Sequence, residues 1–271
     1  MGVNDNRSGD DMVGINENSL KGRIALITGG TSGIGKVTAE VLCSHGASVV
    51  FSGRNDGSGK GIEGALREDG HDACFIQADL RNPEEIEGLV EGTLSRFGSL
   101  DIAFNNAGVF DSGGLFHEYN DSDWNELIAV NLSAVFRCMR AEIRHMLGGN
   151  GGVIINNASI VGHRGTDRAT PGYVASKHGV IGLTRQAALQ YANSGIRINS
   201  VSPGPTQTES HQSLVDQGPE AVANHLSTLN PRSAFVTPEE IANVVLYLST
   251  IAPDMLNGQD IAVDGGQLYK L

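Results

Sequence analysis

Short apolar runs alternate with stretches of helical periodicity along most of the chain. Residues 23–28 (RIALIT), 48–52 (SVVFS), 73–77, 100–104 (LDIAF), 152–156 (GVIIN), 196–201 and 260–263 read as strands. Most are apolar without alternation, and strands buried on both faces mark a parallel sheet. Between them, positions recur at helical spacing. Ile34, Val37, Thr38, Val41 and Leu42 run up to a stop at Gly46, and a second helix extends through about Asp69. Further helices are predicted at Pro83 to about Gly98, roughly Ser122–Leu147, about Pro171 to Asn193, and Pro238–Ser249. Strand–helix alternation with right-handed crossovers predicts an α/β fold: one doubly wound (Rossmann) parallel sheet of seven strands with helices on both faces. The domain spans residues 20–271, after a polar, disordered tail over residues 1–19. Residues 203–231 lack a strong period, and a stretch that long inside a compact domain suggests a functional loop, placed at about 206–232.

Composition narrows the classes of partner. A length of 271 residues fits a single α/β domain. The formal net charge of −12 would repel a phosphate backbone, so nucleic acid is excluded as a partner. No apolar run reaches the length of a membrane span. The start of the chain lacks the basic and apolar regions of a secretory signal. Cys43, Cys74 and Cys138 are odd in number and widely spaced, which points to reduced thiols and a cytoplasmic location. Without CxxC or HExxH, no metal site is expected.

The chemistry concentrates in four segments. Thr28-Gly29-Gly30-Thr31-Ser32-Gly33-Ile34-Gly35 follows a strand and opens a helix. Small residues there let a pyrophosphate approach the backbone, and the helix N-terminus offers free N–H groups. Tyr173 and Lys177 stand at i and i+4 and share one helix face. A neighbouring ammonium favours the phenolate and is expected to lower the Tyr173 pKa, fitting it for proton exchange near neutral pH. Ser159 lies just past the fifth strand, at the carboxyl edge of the sheet where such folds bind ligands. Asn105-Asn106-Ala107-Gly108 follows the fourth strand, and Asn131 falls inside a predicted helix, where Asn is a poor interior residue.

With these motifs in order from about residue 20 to residue 267, the chain resembles the short-chain dehydrogenase/reductase family, whose glycine loop reads TGxxxGIG. The resemblance implies an NAD(P)-dependent oxidoreductase acting on CH–OH groups, with a small-molecule carbonyl or alcohol as substrate. Catalysis would fall to Ser159, Tyr173, Lys177 and Asn131, the last supporting a water that carries protons to the lysine. The cofactor would lie against Gly29, Thr31, Ser32, Gly33, Ile34, Gly35, Arg54, Asn55, Asp79, Leu80, Asn106, Ala107, Gly108, Tyr173, Lys177, Pro203, Gly204, Thr206 and Thr208. Asp79 would meet the adenine amino group, although its residues alone also allow a helix cap before Pro83. Ala158 stands where the family more often has Ser, and leaves Ser159 intact. Gly53 stands where NAD-dependent members keep an acid, and Arg54 follows it, so NADP(H) is the preferred cofactor with NAD(H) as the alternative. An i+4 spacing argues against an enoyl reductase of the same fold, where Tyr and Lys stand seven apart. A non-catalytic NADP-binding sensor would be expected to lack the Tyr, Lys or Ser. Phe110, Phe116, His163 and Arg164 are candidate substrate contacts. Family members commonly form tetramers, so a homotetramer or homodimer is expected; the apolar stripe of Val130, Ala134, Met139, Val180, Leu183 and Ala187 fits such an interface or the monomer core equally.

Overall fold

The computed structural model describes residues 14–111 and 113–270. Most of the segment read as a tail, residues 1–13, lies outside them; its remainder forms a turn closed by a 3.0 Å bond from the Ser19 N–H to the Asn16 carbonyl.

Seven strands form one sheet: β1 (Ile24–Ile27), β2 (Ser48–Gly53), β3 (Ala73–Gln77), β4 (Ile102–Asn105), β5 (Gly152–Asn157), β6 (Ile196–Pro203) and β7 (Asp260–Val263). Their order is β3-β2-β1-β4-β5-β6-β7, and every pairing is parallel. The chain leaves β3 and re-enters beside β1 as β4. That reversal opens a crevice at the carboxyl ends of β1 and β4, where doubly wound folds place their ligands.

Helices α1 (Gly33–Ser44), α2 (Asp56–Glu68), α3 (Pro83–Phe97), α4 (Asp121–Ile128), α5 (Ala134–Leu147), α6 (Pro171–Gln190), α7 (Gln212–Val215), α8 (Pro219–Ser227) and α9 (Pro238–Ser249) complete the fold. The sheet has a core on each face. One joins Leu26, Val50, Ala103, Ile154 and Ile198 to α3, α5 and α6; the other joins Ile27, Phe51, Phe104, Ile155 and Val201 to α1 and α9. The stripe on α5 and α6 belongs to the first of these: Ala134, Met139, Val180 and Ala187 are buried within the protomer, with Leu183 packed against them.

Two predicted features differ. The helix expected over 122–147 is interrupted by a π turn, Ala129–Ser133, so α4 and α5 are separate. The cause is Asn131, whose side chain accepts from the Val109 N–H at 2.8 Å and donates to the Val109 carbonyl at 2.9 Å. Holding that strand-like segment requires one residue to bulge from the helical ladder, and π bulges cluster at functional sites. The stretch 203–231, expected as loop, contains α7 and α8, both too short to give a strong period.

Candidate active site

The glycine loop is shaped by close approaches. Gly29 has φ +66°, and a Cβ there would come within 2.8 Å of the Ala107 Cα. A Cβ on Gly35 would reach 2.2 Å from the Gly29 carbonyl oxygen, so Gly35 supports the loop from behind and does not face the cleft. The loop is stapled to β4 by Thr28, whose hydroxyl accepts from the Asn106 and Ala107 N–H groups at 3.0 and 3.1 Å. Asn106 returns two bonds to the Thr28 and Gly29 carbonyls and accepts from the Asn157 amide at 2.9 Å. The ends of β1, β4 and β5 are thereby locked together. Ser32 is the N-cap of α1 but makes no side-chain capping bond. The first N–H groups of α1 therefore point at the cleft with the positive end of the helix dipole, as a pyrophosphate requires. Gly33, Ile34, Pro203, Gly204, Thr206 and Thr208 line the same cleft, with Thr208 over Gly33.

At the far end of this cleft stand Gly53, Arg54, Asp79, Leu80 and Arg81. A Cβ on Gly53 would meet Thr31 Cγ2 and Oγ1 at 2.6 Å, so Thr31 occupies the space a side chain at 53 would need. Asp79 is not the cap of α3, because Asn82 fills that role by accepting from the Glu84 N–H. Instead Asp79 is gripped by Arg81, which holds its carboxyl below the usual range. Among the described residues no carboxylate pairs with Arg54. Asn55 lies outside the cleft wall and caps α2, accepting from the Ser58 N–H at 2.9 Å. An uncapped helix N-terminus, a backbone no side chain could share, and Arg54 form a donor set that fits a nicotinamide dinucleotide.

The reactive groups line the same cavity of about 1090 Å³ as the glycine loop. Thr170 caps α6 by accepting from the Tyr173 N–H, which places the tyrosine in the first turn. Ser159 shares the cavity wall with Tyr173, and its hydroxyl favours the phenolate. Lys177, buried one turn further on, donates to the Asn157 carbonyl at 2.8 Å, and its Nζ lies 5.6 Å from the Tyr173 ring centroid. The expected lowering of the Tyr173 pKa is not what this environment produces. Burial pushes the phenol up to about 12, against a smaller opposing effect of the Ser159 hydrogen bond. Burial also lowers the Lys177 ammonium to about 8. Desolvation sets the direction of the Tyr173 shift, and only Ser159 opposes it. Asn131 is fully buried and absent from the cavity wall; it acts on the site through Val109, which does line it.

The remaining walls correct the expected substrate contacts. Phe110 lines the cavity, its ring 5.0 Å from that of Tyr173 and inclined by 27°. Phe116 lies outside it and is 83% exposed. His163 and Arg164 turn away: His163 meets Asp260 of β7 at 2.6 Å, and Arg164 donates to the carbonyls of Gln267 and Lys270. In their place stand Arg168, on the lead-in to α6, and Val161, His225 and Leu229. Nothing in the sequence singles out Arg168, because neighbours on the same stretch, His163 and Arg164, leave the cleft. Among the described residues, no group of histidines, cysteines and carboxylates could hold a metal, and no helix is long and apolar enough to cross a membrane.

Fold and site together define a nicotinamide-dependent oxidoreductase of CH–OH groups. A family model described as enoyl-(acyl carrier protein) reductase matches residues 29–267. Cyclohexanol dehydrogenase of Acinetobacter sp. (strain SE19) is 40% identical over 259 residues, covering 96% of this chain and all of that one. Cis-4-hydroxycyclohexanecarboxylate dehydrogenase of Sinomonas cyclohexanicum is 36% identical over 90% of this chain and 96% of its own. Among solved structures, levodione reductase superposes with a TM-score of 0.87 at 30% identity, covering 93% of this chain and 100% of that one. An actinorhodin polyketide ketoreductase variant with NADPH superposes at 0.85 with 33% identity, covering 92% and 98%. The chain belongs to the short-chain dehydrogenase/reductase family.

Proposed function

We propose that the protein is an NADP(H)-dependent oxidoreductase that interconverts a ketone and a secondary alcohol on a compact, ring-sized substrate. The observation that carries this reading is the Tyr173–Ser159 hydroxyl pair in the same cavity as the glycine loop. Relatives named for cyclohexanol and for a hydroxycyclohexanecarboxylate support a ring substrate. When bound, the nicotinamide supplies or accepts the hydride. In the reductive direction Tyr173, held neutral by burial, passes its proton to the substrate oxygen. Ser159 donates to the same oxygen and stabilises its developing charge. Lys177 then stabilises the phenolate left behind, and its proton is restored through water near the helix break at Asn131.

The preference for NADP(H) rests on Gly53, which offers no carboxylate to repel a 2′-phosphate, and on Arg54 in the same wall. Enoyl reduction, suggested by the description of the matching family model, is disfavoured by the i, i+4 spacing of Tyr173 and Lys177. Phe136, Leu147 and Leu189 leave apolar surface on α5 and α6, in keeping with a homotetramer or homodimer, which light scattering checks. The functional test is NADPH and NADH oxidation against a panel of ketones. Turnover with NADPH preferred is the expected result. Binding of NADPH with no turnover on any ketone would instead indicate a sensor.

A further inference from the structure

The cavity wall combines an apolar slot with a cation that has no carboxylate to answer it. Phe110 is 67% exposed although its ring stacks on Tyr173, so one aromatic face is left for a ligand beside the reactive hydroxyl. Val161 and Leu229 continue this apolar lining. Arg168 stands in the same wall, two residues before the Thr170 cap of α6. Its guanidinium donates to the Thr228 hydroxyl at 3.2 Å, and that hydroxyl donates on to the His225 carbonyl at 2.7 Å. One nitrogen is thus used to orient the group against the end of α8, and the rest of its fork of donors remains for another acceptor.

None of the cavity's carboxylates is bonded to Arg168. Asp79 is clamped by Arg81, Asp111 accepts from the Tyr119 hydroxyl, and Glu209 lies near Gly33 at the glycine loop. Among the described residues no carboxylate pairs with Arg168, in a chain whose formal net charge is −12. A guanidinium placed in an enzyme cleft without an internal counter-ion matches a planar carboxylate from outside.

We propose that Arg168 is an anion subsite, and that the preferred substrate is a ring ketone or alcohol carrying a carboxylate. The ring lies against Phe110, with its reacting oxygen at Tyr173 and Ser159 and its carboxylate on Arg168. This assignment rests on the oxidoreductase reading above and narrows its substrate class.

The test compares cyclohexanone with 4-oxocyclohexanecarboxylate in the wild type and in Arg168→Gln, with NADPH. Arg168 is solvent-exposed, so its replacement leaves folding intact, as circular dichroism checks. One charge-assisted contact predicts a wild-type kcat/KM about ten- to a hundredfold higher for the keto acid, expressed in KM and reduced by added salt. In Arg168→Gln the ratio between the two substrates falls to near one, and Arg168→Lys restores part of it. Equal efficiencies in the wild type, or a preference that survives Arg168→Gln, overturns the subsite. Keto-acid binding to the NADPH complex of Tyr173→Phe, measured by calorimetry, separates the two readings. Binding that depends on Arg168 while no ketone is turned over by the wild type upholds the subsite and rejects the reaction; turnover without that dependence does the reverse.

Discussion

Placing a carboxylate at position 53 should reverse the cofactor preference. Gly53→Asp puts a Cβ 2.6 Å from Thr31 Cγ2 and Oγ1, so Thr31 must rotate before the acid can be seated. Once seated, the new charge faces a 2′-phosphate that carries about −1.5 to −2 near neutral pH. At roughly 5 Å and a water-like dielectric the repulsion is about 1.5 kcal/mol, a tenfold loss of NADPH affinity, and it grows if the site excludes water. The same acid can accept from a ribose hydroxyl, so NADH should not be penalised. Arg54→Ala removes the opposing cation and should cost NADPH about another tenfold, with NADH little changed. Thr31→Ala combined with Gly53→Asp removes the crowding and isolates the charge effect. The assay is steady-state kcat/KM with each cofactor across the four proteins. A Gly53→Asp enzyme that keeps its NADPH preference, or a wild type that prefers NADH, would refute the reasoning.

Two further predictions concern groups away from the cavity wall. Glu142 on α5 is buried and accepts from Asn105 at 3.0 Å, and burial raises its carboxyl from 4.5 to about 8. The folded chain holds this proton where the unfolded chain releases it, so that contribution to stability is full below about pH 4.5 and is lost as pH rises through about 8. Glu142→Gln should therefore flatten the fall in Tm between pH 5 and 9 and be the more stable protein at the upper end; parallel melting curves across that range would contradict it. Asn131→Ala leaves the Val109 N–H and carbonyl without their side-chain partner, a loss of about 2–4 kcal/mol read by urea unfolding, and should reduce kcat along with stability.

Much of the scaffold was legible because buried parallel strands and amphipathic helices carry their own periods. The seven strands fall within two residues of their expected limits, with β6 running on to Pro203 and β4 to Asn105. The break at Asn131 was hidden because a one-residue bulge barely disturbs a helical period, while its cause is a contact with a residue 22 positions away. Helix α8 escaped because nine residues are too few turns for a helical period to show. Motif spacing located Ser159, Tyr173 and Lys177, since i, i+4 geometry is local. It did not reveal their ionisation, which depends on burial supplied by β5, α6 and the loop after β4. The outward turn of His163 has the same origin: its partner, Asp260, sits 97 residues on, already accepting from Ser200 and Ser202. Arg168 became significant only when α8 folded over the cleft and Thr228 set its direction.

Central to the account is the proton carried by the Tyr173 hydroxyl. Tyr173→Phe removes that oxygen and keeps the ring that stacks on Phe110. Single-turnover ketone reduction, with NADPH binding followed by fluorescence in parallel, separates chemistry from cofactor affinity. The expected result is a rate lower by about 10²- to 10⁴-fold with NADPH affinity within about threefold of wild type. A variant that retains more than about a tenth of the wild-type rate would contradict the proton donor assigned here.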